Sequence, residues 1–302
     1  MPPSKLSYTV VDAFTQRIFG GGPASVIVLD KDHGLTDETL RLIAREFNFS
    51  ETAFITPKSA IKDESESRSF GLRWFTPTME APICGHATLA SAYVLFTSPH
   101  NIPNLNNVNV IRFHTRAGEL TCTRLSDGKI ELELPAAENK KADMDIERKV
   151  TDVVHKAVGN NVDVKFVGAG QGVSFNMFIL VQLEDSFDLQ RAKIDASIFT
   201  GIGQYTAFFL TTTGRTEKEK FVSRVFGPDW GVAEDPVCGS AQCMLGPYWH
   251  KKLKLKSGEV MVARQVSERG GDFEVVWDEQ KGKCRLRGHA TVTRKGELHL
   301  PV

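Results

Sequence analysis

The sequence lacks the features that identify several large protein classes. Lysine plus arginine and aspartate plus glutamate both number 37, so the 302 residues carry a formal net charge of zero. This balance argues against nucleic acid or an anionic membrane surface as a partner. No apolar stretch is long enough to span a bilayer, and the first seven residues lack the charged-then-apolar pattern of a secretory signal. We therefore expect a cytoplasmic protein.

Cysteine is scarce, and the familiar catalytic motifs are missing. The five cysteines have no CxxC spacing, which argues against a disulfide framework and a zinc ribbon and predicts reduced thiols. The chain also lacks HExxH, GxxxxGK[ST] and GxSxG. Gly20–Gly22 precedes Pro23 and an apolar run, whereas a dinucleotide-binding loop opens a helix. We expect no metal, nucleotide or other cofactor.

The chain contains an internal repeat. Six short segments of the first half recur in the second half, in the same order and at offsets of about 151 to 154 residues, and a duplication explains this better than chance. The pairs are 22–29 with 175–181, 51–54 with 205–208, 73–77 with 224–228, 84–87 with 238–241, 116–118 with 269–271, and 129–132 with 283–286.

Each half has the same predicted order of elements. Strand-like runs come first, then a short amphipathic helix with apolar residues at helical spacing in 40–47, then further strands, and then a Cys-Gly pair that opens a longer helix. The longer helices are predicted over 86–96 and 240–252, and the first is apolar nearly all round, as in a buried helix. Strand–turn pairs, with Asp127-Gly128 as a hairpin signal, close the first half. The predicted fold is α+β, with a sheet wrapped around one central helix, made twice.

The stretch from Ala136 to Asn161 is charged and poor in aromatic residues. We interpret it as the connection between the halves, with a surface helix over 146–158.

The two Cys-Gly pairs are candidate functional sites. A cysteine at a helix start has its thiolate favoured, and the free backbone amides there can bind a carboxylate. Cys84 and Cys238 occupy equivalent positions of the repeat, and two bases on opposite sides of one carbon are what inversion at a C–H bond requires. A structural role at each helix start is the alternative.

Three more side chains are candidates. Glu51 directly precedes an apolar strand, and its repeat counterpart is Tyr205, so the duplication does not explain it. A carboxylate there is either functional or a solvated loop residue. Asp235 precedes a proline and is either functional or a turn residue. His86 is either a donor at the helix start or a core histidine.

These residues lie in segments that resemble the PhzF-like family of phenazine biosynthesis proteins. The matching runs extend from about residue 8 to residue 271 and are specific in combination. They are VDAF (11–14), FGGGPASV (19–26), SETAF (50–54), LRWFTP (72–77), CGHATLA (84–90), EDPVCGSA (234–241) and QVSERGG (265–271).

The resemblance implies the diaminopimelate epimerase-like fold, in which each of two pseudo-symmetric domains is a curled sheet around a central helix. It implies a first domain of residues 1–128 plus about 290–302, a second domain of residues 129–289, and an active site in the cleft between them. It also implies a homodimer that needs no cofactor or metal and acts on a small carboxylate-bearing substrate.

The resemblance also implies roles for the candidate residues. In the phenazine enzyme the residue matching Glu51 is the general acid/base of an isomerisation, and those matching His86 and Asp235 hold the substrate. In the epimerase branch the residues matching Cys84 and Cys238 transfer the proton. The chain departs from the family pattern in having Cys238 where a Thr is usual and Gly22 where an Asn is usual.

Three functions therefore stay open. The first is an isomerase that moves a proton next to a carboxylate, with Glu51 as acid/base. The second is an amino-acid racemase or epimerase that uses Cys84 and Cys238. The third is a non-catalytic ligand-binding protein, for which the loss of Asn at Gly22 is the main support. The predicted substrate-binding residues, shared by these hypotheses, are Gly22, Gly85, His86, Gly239 and Ser240.

Overall fold

The computed structural model describes residues 3–58, 67–97, 105, 108–159, 162–172 and 174–300. The chain divides into two compact units, one of residues 1–134 and 286–302 and the other of residues 135–285. Across the described ranges no helix is both long and apolar enough to cross a membrane.

The described residues of the first unit form two helices, and all but one of the strands given for this unit lie within the first 135 residues. The helices are α1 (Asp37–Phe47) and α2 (Gly85–Thr97). The strands are β1 (Lys5–Ala13), β2 (Gly22–Val28), β3 (Glu51–Pro57), β4 (Ser67–Phe75), β5 (Glu80–Ala81), β6 (Val110–Thr115), β7 (Gly118–Arg124), β8 (Ile130–Pro135) and, from the end of the chain, β18 (Ala290–His299).

The strands of this unit pair in the order β18–β1–β2–β3–β4–β6–β7–β8, with β2–β3 and β4–β6 parallel and the other pairs antiparallel. Helix α2 contacts strands from both ends of this order, including β18 and β7. A sheet must curl for one helix to reach both. All but two of the residues of α2 are buried, which confirms the predicted central helix.

Helix α1 packs against the same sheet at β3 and β4. It begins after Thr36, whose side chain accepts a hydrogen bond from the amide of Thr39, and it ends at Asn48 in the left-handed conformation. Because β3 contacts both α1 and α2, four consecutive residues of β3 are buried instead of alternating. This burial makes the start of β3 a confined place for a polar side chain.

The second unit repeats this arrangement. Its helices are α3 (Met144–Val158) and α4 (Gly239–Lys252). Its strands are β9 (Asn139–Lys141), β10 (Val164–Gly170), β11 (Phe178–Leu183), β12 (Ala207–Thr213), β13 (Glu219–Gly227), β14 (Val232–Asp235), β15 (Val260–Gln265), β16 (Gly271–Asp278) and β17 (Lys283–Gly288), which carries the chain back to the first unit.

The pairing order is β9–β10–β11–β12–β13–β15–β16, with β11–β12 and β13–β15 parallel. These seven strands correspond in order and direction to β18 through β7 of the first unit, including the two parallel pairs. Helix α4 contacts β9, β13 and β16, so this sheet also curls around its central helix. The α+β fold of two pseudo-symmetric units predicted from the repeat is confirmed.

Two sequence-based expectations were wrong in part. The stretch from Ala136 to Asn161 is not a simple connection: strand β9 pairs with β10, and helix α3 buries Val150 and Val154 in the core of the second unit. The predicted helix over 146–158 is present, whereas residues 160 and 161 lie outside the described residues. The amphipathic helix α1 has no full counterpart, because the second unit has only a 3-10 helix at Ala196–Phe199 in that place.

Candidate active site

Glu51 is the first residue of β3, beside Ala24 on the parallel strand β2. Its side chain is 18% exposed, and its Oε2 lies 3.3 Å from Nε2 of His86. Strand β3 is otherwise buried at this end, so the carboxyl group lies at the boundary between core and solvent. This is the confined position that makes a carboxylate costly without a function or a partner.

Cys84 and His86 lie at the start of the central helix of the same unit. Cys84 directly precedes α2, and its backbone carbonyl accepts a 2.5 Å hydrogen bond from Oγ1 of Thr88 one turn later. His86 is the second helical residue and is only 3% exposed. The Cys84 Sγ lies 3.6 Å from Nδ1 of His86, whereas Glu51 lies near the other ring nitrogen, Nε2. One imidazole therefore bridges the two candidate proton-transfer groups.

The environment of Glu51 favours its protonated form. Burial raises the pKa of the Glu51 carboxyl above its ordinary value, and hydrogen bonds from the Ser50 hydroxyl and the Cys84 thiol offset part of this effect. The Oγ of Ser50 also lies 3.4 Å from Nε2 of His86. A carboxyl group with a raised pKa is suited to take up and return a proton near neutral pH.

Two glycines predicted at the site lie against this cluster. Gly85 is the first residue of α2 and is buried. Gly22 is the first residue of β2, and a Cβ added there would lie 3.1 Å from Cγ of the His86 ring. A side chain at this position would crowd the imidazole. The observed position of the His86 ring therefore depends on having glycine at residue 22.

The predicted residues of the second unit also come together. Cys238 is the N-cap of α4, Gly239 and Ser240 are its first two residues, and Asp235 ends the strand β14 before it. The Sγ of Cys238 lies 3.2 Å from Oγ of Ser240. Asp235 accepts a 3.0 Å hydrogen bond from the amide of Val237. It therefore acts as a turn residue, which was one of the two roles considered for it from the sequence.

Asp235 has an electrostatic effect as well. Burial raises the pKa of the Cys238 thiol well above its ordinary value, and the nearby negative charge of Asp235 raises it further. Hydrogen bonds from Ser240 and from the amide of Ala241 oppose this shift. Cys238 is therefore held as a neutral thiol, which can donate a proton.

An arginine–glutamate pair supports the segment before each cysteine. In the first unit Nε and Nη2 of Arg73 contact the two carboxylate oxygens of Glu80 at 2.9 and 2.7 Å. In the second unit Arg224 contacts both oxygens of Glu234 at 2.7 Å. Each glutamate precedes its cysteine by four residues, so these bidentate pairs hold the strand that delivers the cysteine to the helix.

Sequence reasoning missed three residues that shape the site. Ser50 contacts His86 in the first unit. In the second unit Oε1 of Gln265 accepts a 2.8 Å hydrogen bond from the amide of Cys238, and Oγ of Ser267 donates to the carbonyl of Pro236 at 2.6 Å. Both belong to the family-like run at 265–271, but only the pairing of β13 with β15 places them beside the start of α4.

A metal ion is the remaining chemical option at the first cluster. One ligand atom each from Glu51, Cys84 and His86 lies within 4.8 Å of the others, the one such group found among the described residues. However, Cys84 approaches Nδ1 of His86 and Glu51 approaches Nε2, whereas an imidazole binds an ion through one nitrogen. The three side chains therefore form a triangle in which Glu51 and Cys84 face different ring nitrogens, an arrangement suited to proton transfer.

Each unit thus brings together its own set of predicted residues. The first holds Gly22, Glu51, Cys84, Gly85 and His86, and the second holds Asp235, Cys238, Gly239 and Ser240. The placement of both sets on one cleft stays a prediction, as do the roles of the individual residues.

Comparisons with known proteins bear on the family and the fold. Residues 11–296 match the family described as "Phenazine biosynthesis-like protein". A human phenazine biosynthesis-like domain-containing protein is 38% identical, and the alignment covers 97% of this chain and 99% of that protein. An uncharacterized isomerase from Pseudomonas aeruginosa is 34% identical over 98% of this chain and 99% of its own length. The crystal structure of a PhzF-family protein from Enterococcus faecalis superposes with a TM-score of 0.79 at 31% identity, covering 98% of this chain and all of that one.

Proposed function

Because the chain belongs to the phenazine biosynthesis-like family, we propose that it is a cofactor-independent isomerase that moves a proton next to the carboxylate of a small acid, with Glu51 as general acid/base. Its similarity to proteins named isomerases supports the general reaction class.

The observation that carries the proposal is the position of Glu51, a carboxyl group that is only 18% exposed and lies 3.3 Å from Nε2 of His86. As a base, the carboxylate removes a proton from the carbon beside the substrate carboxylate, and as an acid it returns the proton elsewhere on the same molecule. Burial raises the pKa of the carboxyl group above its ordinary value, which makes the carboxylate a stronger base and favours the acid form that returns the proton. The Nε2 of His86 lies 3.3 Å from Oε2 of Glu51, so the His86 ring stabilises the negative charge of Glu51 between the two steps.

The starts of the two central helices are suited to the substrate carboxylate. Neither α2 nor α4 has an acidic side chain in its own first turn, so the positive end of each helix dipole is not neutralised from within the helix. Gly85 and Gly239 begin these helices and leave the backbone open to close approach. Negative charge that develops on the substrate during proton removal would be stabilised in the same place.

A second candidate function is a two-cysteine racemase or epimerase. The equivalent placement of Cys84 and Cys238 at the two helix starts favours it, since one group must remove a proton while the other donates one. The raised pKa of Cys238 fits the donor, and His86 beside Cys84 fits the acceptor side.

Hydrogen exchange with solvent tests the proposal. The protein is incubated in deuterium oxide with pooled amino acids, hydroxy acids and anthranilate-like unsaturated acids, and mass spectrometry finds substrates that gain deuterium. We expect exchange in an acid with a C–H bond next to its carboxylate, and we expect Glu51→Gln to abolish it. Exchange that survives Glu51→Gln and is lost in both Cys84→Ser and Cys238→Ser would instead establish the epimerase. Tight binding without exchange would support a binding protein.

Removal of metal ions provides an independent check. After dialysis against a chelator, we expect the rate of deuterium exchange to be unchanged, because the triangle of Glu51, Cys84 and His86 acts through protons. The measurement compares the dialysed protein before and after addition of Zn²⁺. A rate that disappears on dialysis and returns with Zn²⁺ would show that these three side chains bind a required ion.

The homodimer and the cytoplasmic location are also proposals. Size-exclusion chromatography with light scattering decides the first, and fractionation of cells the second.

A further inference from the structure

The duplication supplies a comparison of two cysteines within one chain. Cys84 and Cys238 each directly precede the central helix of their unit, and they are 5% and 4% exposed. A difference in their chemical reactivity therefore cannot come from exposure or from position at a helix start. It must come from the side chains around each sulfur.

Cys84 has an imidazole base within reach. The Nδ1 of His86 lies 3.6 Å from the sulfur, and Glu51 contacts both the Nε2 of the same ring and the Cys84 thiol. A proton that leaves the thiol for Nδ1 creates an imidazolium whose Nε2 lies 3.3 Å from the Glu51 carboxyl group. This is the arrangement in which a cysteine becomes a nucleophile: a base within reach of the sulfur, oriented by a third group.

Cys238 has no imidazole in the equivalent position. The repeat places Ser240 where the first unit has His86, and Tyr205 where it has Glu51. The Ser240 hydroxyl contacts the Cys238 sulfur, but a hydroxyl does not accept the thiol proton at neutral pH. The Asp235 carboxylate also contacts the Cys238 thiol, but its negative charge disfavours a thiolate. The equivalent cysteine is therefore held as a thiol.

We propose that Cys84 is a nucleophilic cysteine, activated by His86 and Glu51, that is covalently modified by small carbonyl electrophiles such as α-halo and α,β-unsaturated acids and amides, whereas Cys238 is not. With iodoacetamide, the Cys84 thiol gives its proton to Nδ1 of His86 and the sulfur bonds to the methylene carbon. The carbon–iodine bond breaks and iodide leaves with the electron pair.

The test is competitive alkylation of the folded, full-length protein. Limiting iodoacetamide is added at pH 7.5, samples are quenched over time, and the modified peptides of all five cysteines are quantified by mass spectrometry. We expect Cys84 to react at least about tenfold faster than Cys238. We expect the Cys84 rate to fall about tenfold or more in His86→Gln, and to fall by less in Glu51→Gln, because Glu51 acts mainly through the ring.

His114→Gln is the matched control. His114 also lies in the first unit and pairs with a glutamate, its Nδ1 being 3.9 Å from Glu119, but it belongs to strand β6 away from the cluster. We expect this variant to alkylate like the wild type. Circular dichroism verifies the fold of each variant. If His86→Gln does not fold, the ratio of the alkylation rates of Cys84 and Cys238 in the wild-type protein decides the question alone.

Equal rates at Cys84 and Cys238, or an unchanged Cys84 rate in folded His86→Gln, would overturn this inference. Either result would leave the proposed isomerase intact, because alkylation does not depend on proton exchange at a substrate carbon. Conversely, a reactive Cys84 in a protein that exchanges no deuterium would remove the proposed function and keep the inference.

Discussion

Glu51→Gln should abolish proton exchange on the true substrate while leaving the protein at least as stable as the wild type. Glutamine keeps the shape of the side chain and removes its ability to take up a proton. General acid/base groups typically contribute about 10²–10⁴ in rate, and we expect a loss of this size at pH 7.5. The measurement is the initial rate of deuterium incorporation, and Glu46→Gln, on the exposed side of α1, serves as the control that keeps its rate.

The stability half of this prediction follows from the direction of the pKa shift. The folded protein holds the proton of Glu51 more tightly than the unfolded chain, whose carboxyl titrates near its ordinary value of 4.5. The free energy of unfolding therefore falls as the pH rises from about that value through the raised native pKa, and stays lower above it. Glutamine cannot ionise, so the free energy of unfolding of Glu51→Gln does not fall in this way as the pH rises to neutral.

Urea unfolding at pH 7.5 and pH 4 separates the two effects. We expect the midpoint of Glu51→Gln to be no lower than that of the wild type at pH 7.5, and its advantage to shrink at pH 4, where Glu51 is protonated in the native protein. A variant that loses both activity and stability at pH 7.5 would show that Glu51 is a structural carboxylate, held by its contacts with Ser50 and His86. A rate near that of the wild type would remove Glu51 from the reaction.

The repeat is the part of the fold that the sequence predicts best. Six short matches predict two halves with the same order of elements along the chain, because the matches lie at places that the duplication kept, such as the helix starts at Cys84 and Cys238. The apolar circumference of α2 likewise predicts a helix enclosed by its sheet. These signals are local, and they depend only on the order and spacing of residues.

The contacts at the candidate site depend on pairing across the sheet and could not be predicted in the same way. Gln265 reaches the amide of Cys238 only because β15 pairs with β13. The bridging position of His86 depends on which ring nitrogen faces Cys84 and which faces Glu51, and no sequence pattern encodes that orientation. The charged residues after Ala136 suggested a connection, whereas they are the outer face of elements whose apolar side is buried.

The second large effect concerns the arginine that holds the segment before Cys238. The Arg224 side chain is 11% exposed and makes a bidentate contact with Glu234. Its Nη1 also donates to the backbone carbonyls of Ala192 at 2.6 Å and Leu189 at 3.3 Å, and its guanidinium lies 5.2 Å from the centre of the Phe226 ring. Arg224→Met would remove all of these contacts together and leave the Glu234 carboxylate without its bidentate partner.

We expect Arg224→Met to lower the free energy of unfolding by about 3 kcal/mol, the size usual for breaking a largely buried pair. Its repeat counterpart provides the matched control. Arg73 is 35% exposed, and its partner Glu80 keeps a second arginine, Arg116, at 2.7 Å. We therefore expect Arg73→Met to cost only about 1 kcal/mol.

The measurement is hydrogen–deuterium exchange in increasing urea, read separately on peptides of β13 and β4, because a chain of two units need not unfold in a single two-state step. Arg224→Met should shift the transition of β13 to lower urea by more than Arg73→Met shifts that of β4. Equal shifts, or a larger one for Arg73→Met, would show that burial does not set the strength of the two equivalent pairs. Loss of the Arg224 contacts should also loosen the start of α4, since Glu234 stands four residues before Cys238 on the strand that leads into that helix.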